Sequence, residues 1–239
     1  GSNRFLSQLL RGKRVEKILF AATKADHLHH LQHGRLTGIM EALTREARDR
    51  ARFAGAETQA MSIAALRATT DFSEAAECAD VIVMGVPSHG FRNVLTELAR
   101  ELRPWVPVVS LVKGLEQGTN YRMSQIVDEV LPGHPAGILA GPNIAREVAE
   151  GYAAAAVLAM PDPHLAAHLG GLFRTKRFRT YTTDDVVGVE MAGALKNVYA
   201  IAVGMGYSLG IGENTRAMVM ARAVREMSKM GEALGGHRD

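Results

Sequence analysis

The sequence predicts an α/β fold, a mostly parallel sheet followed by a truncated all-helical segment, and three observations carry that prediction. Short runs of β-branched and apolar residues alternate with helical patterns from residue 17 to residue 172. After Tyr181 the alternation stops, and two long apolar or amphipathic stretches show no strand signal. Polar residues suited to binding stand directly after several of the apolar runs, where a parallel α/β sheet exposes the carboxyl ends of its strands.

The elements follow in order. Residues 17–23 (KILFAAT) read as a strand buried on both faces. The stretch 34–54 places Leu36, Ile39, Met40, Leu43, Ala47 and Ala51 near helical spacing and stops near Gly55, a suitable cap. Residues 58–64 form a weaker strand pattern, so residues 1–70 read as one strand-helix-strand unit. Strands are expected at 80–86, 107–112, 136–140 and 154–159, and helices at 90–102, 119–130, 143–149 and 162–172. The stretches 184–207 and 213–234 then read as the start of a helical domain. The division is 1–70, 71–182 and 183–239. The first strand is expected beside 80–86 in one sheet, because two open edges in a short chain would invite aggregation.

A chain of 239 residues, 47% of them hydrophobic, can bury a substantial core. Charge is uneven: residues 1–70 hold twelve Lys and Arg against six Asp and Glu, and the remainder holds sixteen against nineteen. The basic excess clusters in one helical stretch and reads as a solvated face, so no nucleic-acid partner is expected. Cys78 is the only cysteine, which excludes an internal disulfide and a thiolate metal cluster. No apolar run is read as approaching the length of a membrane span, and the start Gly-Ser-Asn-Arg-Phe lacks a signal-peptide core. A cytoplasmic protein without membrane insertion is expected. A helical segment this short would expose apolar surface and self-associate.

Two groups of residues carry chemistry. In the first, the strand 17–23 runs into Thr23-Lys24-Ala25-Asp26. An aspartate there can accept from a guanine edge while the Lys24 stem covers the base, and Ser62 in the later loop can approach the guanine oxygen. His27, His29, His30 and His33 lack the companions that a tetrahedral zinc site needs, so no metal is assigned.

In the second group, the strand ending at Val86-Pro87-Ser88 opens onto a proline-stiffened loop. Lys113 follows the strand 107–112, where an ammonium can hold a phosphate or polarise an oxygen. Gly141-Pro142-Asn143 reads as strand end, tight turn and helix start, with Pro142 in the first turn and exposed amides suited to an anion. Lys196 lies in an apolar, small-residue helix (VEMAGALKNV); burial there would lower its pKa and suit it to accept a proton from an alcohol. Residues 204–210 (GMGYSLG) superficially match a glycine fingerprint but follow a helix, and read as its terminus.

Residues 71–239 resemble the bacterial NAD(P)-dependent glycerol-3-phosphate dehydrogenases, on ADVIVMGVPS, VKGL, GPNIARE and VEMAGALKNV. The resemblance implies that Lys196 is the general base, with Asn197 orienting the substrate and Lys113 in contact with it. It also implies that Gly141 and Asn143 bind the small phosphorylated substrate, Asn143 standing where the family shows Thr or Ser. Val86, Pro87, Ser88 and Ala145 then border the cofactor, NAD or NADP. On this reading residues 71–182 are the second half of a Rossmann-like nucleotide-binding domain and 183–239 begin the substrate domain.

Residues 3–69 resemble instead the GTPase-like part of the YcjX-like P-loop stress proteins, on NRFLSQLL, ILFAATKADHLHH and RARFAGAE. That resemblance implies guanine contacts from Lys24, Asp26 and Ser62. The chain contains neither G-x-x-x-x-G-K-[S/T] nor a strand followed by G-x-G-x-x-G. The expectation is therefore a chimera joined at 67–71, lacking the dehydrogenase's first Rossmann unit and later helices, with impaired cofactor binding and little or no activity. A guanine-nucleotide-binding fragment and a noncatalytic scaffold stay open as alternatives.

Overall fold

The computed structural model describes residues 18–21, 72–77 and 79–237. The expected helix 34–54, the strand 58–64, Cys78, the four histidines, Lys24, Asp26 and Ser62 lie outside the described residues.

Six strands form one sheet: β1 (Ile18–Ala21), β2 (Val81–Met84), β3 (Val108–Ser110), β4 (Ala136–Ala140), β5 (Ala154–Ala159) and β6 (Phe178–Thr183), side by side in chain order. The first four run parallel, and β1 pairs with β2 in the register Ile18 to Val81, as the single-sheet expectation requires. The sheet is mostly parallel, as expected, with one exception: β5 runs antiparallel to β4 before β6 returns parallel to β5. The helix in that connection, Ala145–Ala149, has only five residues, about 7.5 Å of rise, against about 17 Å for five residues of strand, so the helix alone does not span the sheet.

The helices are α1 (Phe72–Glu77), α2 (Ser88–Leu98), α3 (Met123–Val130), α4 (Ala145–Ala149), α5 (Pro163–Phe173), α6 (Val186–Ser208) and α7 (Glu213–Ala233). Strand residues alternate between two cores, as a pleated strand covered on both faces must. Ile82, Met84 and Val108 pack with Phe91, Leu95 and Leu98 of α2 and Met123 and Ile126 of α3. Val81, Val83, Val109 and Leu158 pack with Leu165 and Leu169 of α5. Strand β6 escaped the sequence reading because among its six residues only Thr180 is buried. The short α1 escaped it too, being a helix of six residues.

Beyond the sheet, α6 packs on β4, β5 and α7. It spans 23 residues with a mean hydropathy of 1.4 over its most apolar window, so by length and composition alone it would cross a membrane. This corrects the reading that no run approaches that length. Val198, Ile201, Met205 and Tyr207 on α6, with Met218 and Val224 on α7, are exposed. As expected, α6 ends within the GMGYSLG stretch, where Gly210 adopts a left-handed conformation with φ of 72°.

Strands β4 and β5 approach closely at Gly137, where an added Cβ would collide with the Met160 sulfur and the Ala159 carbonyl oxygen. Because one of those partners is backbone, Gly137→Ala should destabilise the fold by about 1–3 kcal/mol. Urea unfolding checks this, and an unchanged midpoint would mean that the two strands can part without cost.

Candidate functional site

The carboxyl ends of β2, β3 and β4 meet along one edge, and each carries a residue singled out from the sequence. Beyond β2, Val86 is buried, Pro87 caps α2 and Ser88 is its first residue. Beyond β3, the buried Ser110 hydroxyl accepts from the Val112 amide at 3.1 Å and turns the chain toward Lys113. A Cβ on Gly114 would lie 3.6 Å from Ser88 Oγ, so the Val86-Pro87-Ser88 loop and the Lys113 loop are in contact.

Lys113 Nζ donates to Asn143 Oδ1 at 3.1 Å and to the Gly141 carbonyl at 3.3 Å. It thereby joins the end of β3 to the turn after β4. Gly141 has no room for a side chain, because a Cβ would strike the Ala155 carbonyl and the Ala156 Cα. Helix α6 closes the other side: a Cβ on Gly193 would sit 3.9 Å from Lys113 Cγ and 4.0 Å from the Ala140 Cβ. The Lys113 ammonium is held below the ordinary lysine range, first by partial burial and then by repulsion from Lys196.

The structure thus brings together Lys113, Gly141, Asn143 and the turn of α6 that carries Lys196. Lys196 and Asn197 are exposed, which corrects the expectation of a buried Lys196. The apolar character of α6 does not bury the residue, since along this helix only Val186, Glu190, Met191, Gly193 and Gly206 are buried. Pro142 also departs from expectation, standing two residues ahead of the α4 N-cap, Ile144, instead of in the first turn. Ala145 is exposed at the start of α4.

Two networks around the site were not read from the sequence. Arg92 of α2 grips Glu116 with two hydrogen bonds of 2.7 and 2.9 Å and reaches Glu129 at 3.1 Å, while Thr119 Oγ1 donates to Glu116 at 2.6 Å. The bidentate clamp pins the loop three residues beyond Lys113. It holds the Glu116 carboxyl at about 2, chiefly through the Arg92 bonds and then the Thr119 bond, and raises the Arg92 guanidinium. In the second network Glu190 of α6, only 5% exposed, accepts from Arg122 Nη1 at 2.7 Å, the Ser124 amide at 2.8 Å and Ser124 Oγ at 2.6 Å. Its signal in the sequence was a carboxylate among small apolar residues, which must find partners if buried. Among the described residues no group of three or more His, Cys, Asp or Glu forms a metal-binding cluster.

The clamp has a pH signature. A carboxyl depressed from 4.5 to about 2 on folding stabilises the protein above 4.5, and the contribution disappears as pH falls through about 2. Arg92→Met should therefore lower stability at neutral pH, and the gap from the parent should close on acidification across that window. Urea unfolding of both proteins as a function of pH checks this; a gap that stays constant would assign the effect to packing alone.

The family model for the N-terminus of NAD-dependent glycerol-3-phosphate dehydrogenase matches residues 30–166, and that for its C-terminus matches residues 185–239. The NAD(P)+ glycerol-3-phosphate dehydrogenase of Mycobacterium avium (strain 104) is 86% identical over 174 residues, 73% of this chain and 51% of its own length. Enzyme 1 of that name from Mycobacterium tuberculosis (strain ATCC 25618 / H37Rv) is 84% identical over 171 residues, covering 72% of this chain and 50% of its own. The crystal structure of glycerol-3-phosphate dehydrogenase from Coxiella burnetii superposes with a TM-score of 0.68 at 26% identity, covering 93% of this chain and 70% of that one. The chain spans about half the length of the curated relatives it matches.

These matches overturn the reading of two joined families. The N-terminal model runs from residue 30 straight through 67–71, so that segment is not a junction, and the YcjX-like assignment, with its guanine-binding roles for Lys24, Asp26 and Ser62, is withdrawn. The missing first Rossmann unit is withdrawn with it, since the N-terminal model reaches back to residue 30 and β1 lies in the same sheet as β2. The expectation of little or no activity, drawn from the absent glycine fingerprint and later helices, and the alternatives of a guanine-nucleotide-binding fragment and a noncatalytic scaffold are contradicted by the same matches. The chain belongs to the NAD-dependent glycerol-3-phosphate dehydrogenase family.

Proposed function

We propose that this protein oxidises sn-glycerol 3-phosphate to dihydroxyacetone phosphate with NAD(P)+, and catalyses the reverse reduction. The observation that carries the reading is the meeting of Lys113, Gly141 and Asn143 beside the turn of α6 that bears Lys196. Two ammonium groups near enough to repel one another suit a phosphorylated substrate, whose negative charge removes the repulsion on binding.

Lys113 holds the substrate and polarises its oxygen. Asn143, with Oδ1 engaged by Lys113, turns its amide nitrogen to donate to a substrate oxygen. Lys196 accepts the proton of the substrate hydroxyl, and Asn197 beside it orients that group. The donor chemistry also fits the cofactor. The Val86-Pro87-Ser88 loop touches the Lys113 loop at Gly114, and Ala145 opens the helix after Asn143, so small and apolar groups border the substrate lysine. When bound, NAD(P)+ supplies the hydride acceptor. Residues 71–182 form the cofactor-binding part and residues 183–239 belong to the substrate part. A reducing, cytoplasmic setting suits a chain with one cysteine.

Formation of NAD(P)H from sn-glycerol 3-phosphate, followed by absorbance, tests the reading. Lys196→Met should lower kcat by about 10²–10⁴, the usual worth of a positioned general base. Lys113→Met should act mainly on the KM for glycerol 3-phosphate, raising it about tenfold to a hundredfold through loss of a charge-assisted hydrogen bond. Failure of the unsubstituted chain to form NADH or NADPH, or full activity in Lys196→Met, would contradict the proposal.

A further inference from the structure

We propose that Glu190 is a positioning residue for this oxidation site: its buried carboxylate fixes the rotation and axial register of α6, and thereby the place of Lys196 beside Lys113. The inference rests on the function proposed above for Lys196 and Lys113.

Hydrophobic contact alone sets the register of α6 weakly. Its sheet-facing side offers small residues such as Gly193, and apolar burial is non-directional. Glu190 supplies what that contact lacks. Oε1 accepts the Ser124 amide, while Oε2 accepts both Ser124 Oγ and Arg122 Nη1, so both oxygens are committed. Arg122 Nη1 also donates to Ser124 Oγ at 2.8 Å, closing a ring around the carboxylate. Ser124 is the second residue of α3, and its amide is one of the helix-start donors without an intrahelical partner. A carboxylate from α6 therefore caps α3, where the helix dipole favours negative charge. A slip of one turn, about 5.4 Å, would break every bond of the ring and leave a charge buried without partners.

The anchor is also tied to the right reference. Helix α3 begins at the end of the loop that carries Lys113, and Arg92 clamps that loop at Glu116 midway. Glu190 thus registers α6 against the same connection that positions Lys113. Gly193, three residues on from Glu190, already lies against the Lys113 stem. Lys196 follows three residues later, about 9 Å along the axis from Glu190. A continuous helix carries any rotation at Glu190 to Lys196 undiminished.

The test uses the full chain with Glu190→Gln and Ser124→Ala, each at a temperature where circular dichroism shows it folded. Lysines are labelled by reductive ¹³C-dimethylation, which keeps their charge, and Lys113 is assigned with Lys113→Arg. In the parent, Lys113 should titrate below the ordinary lysine range. In both variants it should move up toward that range, because α6 no longer holds Lys196 and Gly193 against it. In unmodified protein kcat should fall about tenfold to a hundredfold, the cost of a small misplacement, while the KM for NAD(P)+ stays within about threefold. If Lys113 titrates as in the parent while only the unfolding midpoint drops, the network is merely structural and the proposal is overturned. If Glu190→Gln does not fold, Ser124→Ala decides, since it keeps the ion pair and the bond from the Ser124 amide and removes only the hydroxyl bond. A parent chain that forms no NAD(P)H would sink the functional reading, and the Lys113 titration would still decide whether Glu190 positions α6.

Discussion

An ammonium group drawn partly out of water within electrostatic reach of a second ammonium group is the constraint on which the site depends. Lys113 can occupy its place only because the Gly141 carbonyl and Asn143 Oδ1 replace lost hydration. That demand dictates the turn after β4: residue 141 must be a glycine to pass the β5 backbone, and its carbonyl must face β3. The same demand explains the Arg92–Glu116 clamp, which keeps the Lys113 loop from relaxing outward. With repulsion from Lys196 standing against it, the arrangement is poised for a ligand that brings negative charge.

The sheet makes this convergence possible. Parallel neighbours β2, β3 and β4 deliver their carboxyl ends to one edge, each followed by a loop that carries proposed site residues. The antiparallel return of β5 then places its backbone against Gly141 and Gly137, and β4 and β5 provide the platform on which α6 rests. Burying Glu190 adds direction to a contact that is otherwise apolar. Fold and site are therefore linked through a few polar anchors set in nonspecific packing.

The strands were largely legible because fully buried strands announce themselves as continuous apolar runs. β4 and β5 coincide with the ranges read from the sequence, and α6 and α7 lie within two residues of theirs. β6 was not legible, since an edge strand with one buried residue carries little pattern. The direction of β5 was not legible either, because the apolar run AAAVLA reads alike in a parallel or an antiparallel pairing. Lys113, Gly141 and Asn143 could be placed at one edge from the sequence because they stand within three residues of strand ends. Glu116 and Glu190 pair with residues 24 and 66 positions away, and no local pattern records such partners. The exposure of Lys196 was not legible because an apolar composition does not say which side of a helix is buried, and only five residues of α6 are. The supposed junction at 67–71 came from the likeness of NRFLSQLL, ILFAATKADHLHH and RARFAGAE to another family, which the match over residues 30–166 overrides.

The central claim is that Lys113 and Lys196 face one another across the edge of the sheet. Cross-linking the dilute protein with a short amine-reactive bis-ester, followed by peptide mass spectrometry, tests it most directly. The account predicts a Lys113–Lys196 link that sn-glycerol 3-phosphate suppresses. Single modification of Lys113, with links to other lysines but none to Lys196, would contradict it.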